Sequence, residues 1–384
     1  MQSLLAATAG TCAVMGTAST MACMAETLGM SLIGGAMAPA ASGARLQHGV
    51  RSGRRVVSMA RESLLPAQIL TRGAFLNAVT VLSAVSGSTN AIIHLLAIAR
   101  RTGAALSLDD FDQVARRVPM LVNCKPAGEL YAEDFYRAGG VPGLLKVLEP
   151  LLDVSARRAD GGTLGDALAG IPMPMEQQRC IATLPAPFGP PETLAVLRGS
   201  LAPDGAVLKV AAASRRLLDH RGPALVFESP DDAARKLNDP DLEVTPNHVL
   251  VLRNAGPVAA AMPEAGTMAI PIRLAAQGVT DMVRISDARM SGTAYGTVVL
   301  HCSPEAARQG PLAFVRNGDL IHLDVANRRL DLLVDEDELV RRRAAFQPPS
   351  TPTRGWARLY AERVLPAHLG ADLDFLTSTG DQGP

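Results

Sequence analysis

The sequence predicts an α/β N-terminal domain followed by a mostly β, barrel-like C-terminal domain. Three observations carry that expectation. Up to about residue 178, apolar residues recur at helical spacing behind Ser, Thr and Asn caps, with short apolar segments between them that could be strands. Beyond the stretch "MPMEQQRCIATLPAPFGPP", short β-like runs separated by Pro, Gly, Asn and Asp turns take over. A chain of 384 residues is also long enough for two domains with their own cores. The expected division is 1–178, 179–350 and a C-terminal arm over 351–384.

The elements follow in order. "TASTMACMAETLG" reads as a helix with Thr17 or Ser19 as cap, a stripe of Met21, Met24, Ala25 and Leu28, and Gly29 as its stop. "HGVRSGRRVVSMARE" is a second helix. "AFLNAVTVLSAV" is an apolar segment, "SGSTN" a turn, and "AIIHLLAIARRTG" a helix with Thr89 or Asn90 at its start. "SLDDFDQVARRV" is capped by Ser107, with acids in the first turn where the helix dipole favours them. "GGVPGLLKVLEPLL" is one more helix. The β-like runs are "TLAVLRGS", "AVLKVA", "PALVFE", "HVLVLRN", "DMVRISD", "TVVLHC", "LIHLDV" and "RRLDLLV". "VDEDELVRRRAAF" and "GWARLYAERV" return to helix, and no internal repeat is present.

Lys+Arg and Asp+Glu balance at 37 each, which gives no electrostatic reason to expect nucleic acid or an anionic membrane as partner. Aromatics at 3% also argue against stacking platforms for single strands. Five widely spaced cysteines make a poor disulfide framework and point to a reducing compartment, the cytoplasm. Of the first forty residues only Glu26 is charged. A signal peptide or membrane span is disfavoured there by the lack of a basic start and by Ser, Thr and Gly within every apolar run. The stretch reads instead as a buried loop and helix.

Several residues stand out by pattern. Cys12 lies in a small-residue loop ahead of a helix, which suits either a metal or cluster ligand or a small buried hydrophobe. Gly87, Ser88 and Thr89 open a helix and either hold a carboxylate or phosphate or simply cap it. His94, on an apolar face, reads as a core histidine. Glu264, after Pro263 among small apolar residues, is either exposed at a turn or a buried ligand. Ser291 sits in "ISDARMSGTAYG", a charged and glycine-rich turn that lacks the G-x-S-x-G elbow.

Together, "GTCAVMGTASTM", "SGSTNAIIHLLAIARRTG", "RAGGVPGLLKVL", "RGSLAPDGAVLK", "LRNAGPVAAAMPEAG" and the stretch from "SDARMSGTAYG" to "VDEDEL" resemble, in that order, the dihydroxy-acid/sugar-acid dehydratase family. The resemblance covers about residues 10 to 350. "GTASTM" and "DARMSGTAYG" look more like the sugar-acid branch, acting on arabinonate and xylonate, than the branched-chain amino-acid branch, whose last motif reads more like D-G-R-F-S-G. It implies a hydro-lyase that converts a 2,3-dihydroxy acid to a 2-keto-3-deoxy acid. It also implies an iron–sulfur cluster (2Fe-2S or 4Fe-4S) as Lewis acid on the departing 3-hydroxyl, and Mg2+ on the carboxylate and 2-hydroxyl. Carried over by motif, Cys12 is a cluster ligand, Glu264 a Mg2+ ligand and Ser291 the base that takes the C2 proton. Thr293 lies near the substrate, with Ser88 and Thr89 as further substrate-side positions. The implied partner is a small-molecule sugar acid, and the implied assembly a homo-dimer or tetramer.

The chain departs from the family pattern at Ser86 (for the first Gly of G-G-S-T-N), at Ser200 (for the Asn of R-G-N-L-A-P) and at Ala261 before Met262-Pro263. The family's N-terminal part, with two more cluster cysteines and further Mg2+ ligands, is expected to be truncated here. Three readings therefore compete: a sugar-acid dehydratase or its branched-chain counterpart, a non-catalytic fragment of one, and an anion-binding module.

Overall fold

The computed structural model describes residues 10, 12–175, 178–262, 268–291, 294–347, 350 and 352–376. It divides into two compact units, one formed by residues up to Ala91 with Ile98–Thr193, the other by Ile92–Ala97 with Leu194 onward.

In the first unit the described residues form helices joined by isolated β-bridges, and no strand of the sheet described below comes from it. The expectation of α/β architecture is corrected there to helical. "AFLNAVTVLSAV" belongs to the helix Arg72–Ala84, capped by Thr71, whose Oγ1 accepts from Ala74 N at 3.3 Å. Ten of its residues are buried, so it needs no polar face, and a continuous apolar run carries no period that separates helix from strand. It packs against Thr17–Thr27 and Leu108–Ala115. Ser107 caps the latter as its sequence suggests, with its N–H and Oγ 2.9 and 3.1 Å from Asp110 Oδ2. Thr17–Thr27 instead has Gly16 at its N-cap and no side-chain cap.

The buried Glu26 organises the loop that follows. Its carboxylate accepts Gly34 N and Ala36 N at 2.7 Å each, and Arg158, 1% exposed, donates to the Glu26 carbonyl at 2.9 Å. Burial raises the Glu26 carboxyl above its ordinary range, partly offset by those backbone donors. A charged residue in an apolar stretch thus acts as a fold determinant.

The second unit is built on an eight-stranded sheet: β1 (Ala195–Leu197), β2 (Gly205–Leu208), β3 (Asp219–Phe227), β4 (Val249–Leu252), β5 (Arg284–Ser286), β6 (Val298–Ser303), β7 (Leu320–Asp324) and β8 (Arg329–Leu333). The strand order is β1-β2-β6-β5-β4-β3-β7-β8. The two edges meet through Arg198, whose N–H donates to Arg328 O at 2.9 Å and whose carbonyl accepts from Leu330 N at 3.0 Å. The sheet is therefore nearly closed, as the barrel-like expectation requires. Leu208, Val251, Ile285, Val299 and Leu323 belong to one buried core.

Burial explains the strand patterns. β3 to β6 run parallel, and β4, β5 and β6 are buried at every residue, which is why "VLVL" does not alternate. β7 and β8 alternate because one of their faces is more open. β3 changes partner midway: Asp219–Pro223 pair antiparallel with β7, and Ala224–Phe227 pair parallel with β4. Pro223 sits at the switch, where a missing N–H costs least. A Cβ at the adjacent Gly222 would overlap the Asn247 carbonyl oxygen. Gly222→Ala is therefore expected to cost roughly 1–3 kcal/mol, measured as a lower urea midpoint with unchanged slope.

Because β4, β5 and β6 are parallel neighbours, their C-terminal ends lie at one end of the barrel. Arg253–Met262 leaves β4 there, Asp287–Ser291 leaves β5, and Pro304-Glu305 leaves β6. Segments beyond the C-terminal ends of parallel strands are where open α/β sheets place their ligands.

Candidate active-site loops

In the first unit, Cys12 is exposed and lines a cavity of about 930 Å³ together with Ser19, Met37, Arg45, Tyr131 and Asp134. Its carbonyl accepts from Ser19 Oγ at 3.3 Å. Ser88 and Thr89 are buried. Ser88 Oγ lies 3.1 Å from Thr17 Oγ1 and accepts from Asn90 N at 3.2 Å, while Ser88 N donates to Thr20 Oγ1 at 3.1 Å. A Cβ at Gly87 would come within 2.7 Å of both Leu82 Cδ1 and Thr20 Cγ2, so the turn before Ser88 has room only for glycine. The four other cysteines are buried. Cys124 and Cys180 Sγ approach to 3.9 Å, and the Cys124 thiol is held far above its ordinary range by that hydrogen bond and by burial.

In the second unit, Ser291 is half-buried on the loop between β5 and β6. Its carbonyl accepts from Ala294 N at 2.9 Å, closing a turn. Glu264 and Thr293 lie outside the described residues. The far end of the loop is anchored by Asp281, fully buried, whose carboxylate accepts Thr297 N and Oγ1 at 2.9 and 2.8 Å and pairs with Arg284 at 3.0 Å. Burial alone would raise the Asp281 carboxyl, but the Thr297 and Ser214 donors and Arg284 bring it below the usual range, so it stays ionised. Arg284 also donates to Tyr295 O at 2.8 Å. Gly296, at φ +103°, is required because a Cβ there would overlap both Arg284 and Asp281.

The near end is held by residues that sequence reasoning missed. Asp287, fully buried, accepts Ala255 N and Ala306 N at 3.1 Å each. Burial raises its carboxyl to about 6. Arg289 Nε donates to Met262 O at 2.7 Å. Glu305 accepts Val258 N at 3.0 and 2.9 Å, and burial pushes its carboxyl up to about 7. His301 marks a register shift between β2 and β6, adopts a left-handed φ of +59°, and donates its N–H to Ala288 O at 3.1 Å. Neither of its ring nitrogens has a partner among the described residues, and burial, Arg289 and His94 lower its pKa to about 3. The imidazole is therefore neutral at physiological pH. His94 is half-buried and belongs to this unit. The available signals were the D-A-R run ahead of Ser291 and an H-C-S-P-E run that keeps charge in a strand end.

Among the described residues, no three His, Cys, Asp or Glu side chains converge in a metal-binding group, and no helix is long and apolar enough to cross a membrane.

A family model described as dihydroxy-acid/6-phosphogluconate dehydratase C-terminal matches residues 179–371, and its N-terminal counterpart matches residues 1–167. The chain is 49% identical over 358 residues to the L-arabinonate dehydratase of Rhizobium leguminosarum bv. trifolii, covering 92% of this chain and 61% of that protein. It is 46% identical over 372 residues to the 6-deoxy-6-sulfo-D-gluconate dehydratase of Pseudomonas putida, covering 96% and 64%. To the dihydroxy-acid dehydratase of Methanothrix thermoacetophila it is 43% identical over 351 residues, covering 90% and 63%. The chain thus spans a little under two thirds of the length of these curated relatives.

Proposed function

The chain belongs to the dihydroxy-acid/6-phosphogluconate dehydratase family, and on that premise we propose that it serves in removing water from a 2,3-dihydroxy carboxylic acid, with a sugar acid as substrate class. The observation that carries this reading is the placement of Ser291. It follows directly on a segment anchored by Asp287 and Arg289 at the C-terminal ends of the parallel strands. The sugar-acid preference is supported by 49% and 46% identity to relatives named for sugar acids, against 43% to a dihydroxy-acid dehydratase.

In this proposal Ser291 Oγ takes the proton from C2 of the substrate. The C3–O bond breaks, the departing hydroxide takes up that proton to leave as water, which returns the serine to its starting form, and the resulting enol tautomerises to the 2-keto-3-deoxy acid. A serine hydroxyl titrates far above neutral pH, so the step requires an environment that favours its alkoxide. Cys12 is exposed and free to give one thiolate to an iron–sulfur cluster. One thiolate does not hold a cluster, and the other described cysteines are buried away from solvent. The described residues therefore do not by themselves fit either the cluster or Mg2+, and no step is routed through one.

The test is turnover. Purified protein, reconstituted with iron, sulfide and Mg2+, is incubated with L-arabinonate, D-xylonate and a branched-chain 2,3-dihydroxy acid, and 2-keto acid is trapped as its semicarbazone. Keto acid from an aldonate is the expected result. Its absence with every aldonate from an iron-loaded preparation rejects the reading, and exclusive turnover of the branched-chain acid moves it to the other branch.

A further inference from the structure

The backbone from Asn254 to Met262 is strained in a way that the strands alone do not demand. Asn254, Ala261 and Met262 all adopt left-handed φ values, of +62°, +56° and +47°. Each such residue that is not glycine costs roughly 1–2 kcal/mol and persists only where its surroundings over-determine it. Those surroundings come from two other segments. Glu305, beyond β6, receives Val258 N on both carboxylate oxygens, and it packs so closely that a Cβ on Gly256 would stand 2.6 Å from Oε2. Asp287, beyond β5, receives Ala255 N on one oxygen and Ala306 N on the other, so a single buried carboxylate joins all three segments.

Arg289 completes the arrangement from the side of Ser291. It lies two residues before the serine and donates Nε to the carbonyl of Met262, the last described residue of the strained elbow. A charge-assisted bond to a carbonyl is among the stronger ones a side chain makes. Met262 N in turn donates to Gly256 O at 3.1 Å, so the pull of Arg289 is carried back to the start of the elbow. Met262 is itself buried, with Ile93 and Ala367.

We propose that Arg289 is a positioning residue: it clasps the Asp287–Ser291 loop to the Gly256–Met262 elbow, so that the two move as one body and Ser291 is held at a fixed place and angle. The proposal deepens the reading of Ser291 as the base and rests on it for its catalytic consequence, but the clasp itself is a physical property of this chain whether or not it turns over a substrate. Arg289 acts through the backbone of Met262 and touches no reacting atom in this account.

Amide hydrogen exchange on the purified full chain tests it. Arg289→Ala is expected to raise exchange of the Ala255–Met262 and Ala288–Ser291 amides together, on the order of ten- to a hundredfold, with the β7–β8 hairpin unchanged. Arg289→Lys, which keeps a cationic donor, restores most of the protection, and serves as the readout if the alanine variant does not fold. With an aldonate that is turned over, Arg289→Ala lowers kcat while KM stays within a few-fold, the mark of a misplaced reacting group. Unchanged exchange in either loop overturns the clasp, as does a uniform rise throughout the chain or lysine behaving like alanine. If no aldonate is turned over by the wild-type protein, the functional reading fails while the exchange result still decides the clasp.

Discussion

Ser291→Ala is expected to lower kcat for an aldonate on the order of 10²–10⁴-fold, the usual contribution of a positioned general base. The substitution removes one oxygen from a half-buried side chain and keeps the backbone carbonyl that closes the turn with Ala294. The loop is anchored by Asp281, Arg284, Asp287 and Arg289, none of which is altered. The fold is therefore expected to be kept, with a thermal midpoint near the wild-type value. KM should change little, because a base contributes chiefly when the C2–H bond is breaking. A second readout separates proton abstraction from later steps: in D2O, exchange of the C2 hydrogen into unreacted substrate should vanish in the variant. Turnover within a few-fold of wild type would assign the base to another group.

Much of the barrel could be read from the chain because its strands carry local signals. "HVLVLRN" and "DMVRISD" are short β-like runs with polar ends, and the structure places β4 and β5 on them as neighbouring parallel strands. "AFLNAVTVLSAV" could not be assigned the same way. It is buried all round, and a segment with no polar face loses the periodicity that tells helix from strand. Ser291 became visible only through motif resemblance, since a serine on a glycine turn has no chemistry of its own. Its supports were harder still to see. Asp287, Arg289 and Glu305 act on backbone groups that lie 19 to 47 residues away in the sequence. A carboxylate that receives amide protons leaves no complementary charge in the sequence to announce it. Glu26 shows the same limit in the first unit: the one acid in an uncharged stretch is spent on Gly34 N and Ala36 N, not on a ligand.

Lys209 gives the clearest case of a residue whose sequence setting misleads, and the largest expected effect on stability. In "AVLKVA" it is the one charged residue of a β-like run. In the structure it is 6% exposed, and its Nζ has no partner among the described residues. Burial alone lowers its pKa to about 7, from an ordinary value of 10.5. The sign of the consequence follows from proton binding. Between about pH 7 and 10.5 the unfolded chain keeps the proton and the folded chain gives it up, so stability rises with pH across that window. Below about pH 7 the full penalty is present. Lys209→Met keeps the length of the side chain and removes the charge. It is therefore expected to stabilise the protein at pH 6, by on the order of 3–5 kcal/mol at the upper limit set by the shift. The advantage should shrink steadily as pH rises through 8 and 9 and nearly disappear by 10.5. Urea denaturation of the two proteins at four pH values measures this difference directly, and effects of all other titrating groups cancel between them. A constant advantage at every pH would mean that the gain comes from packing and not from the ammonium group. A loss of stability at pH 6 would mean that the amine is partnered in solution by a group or a water that accepts its protons.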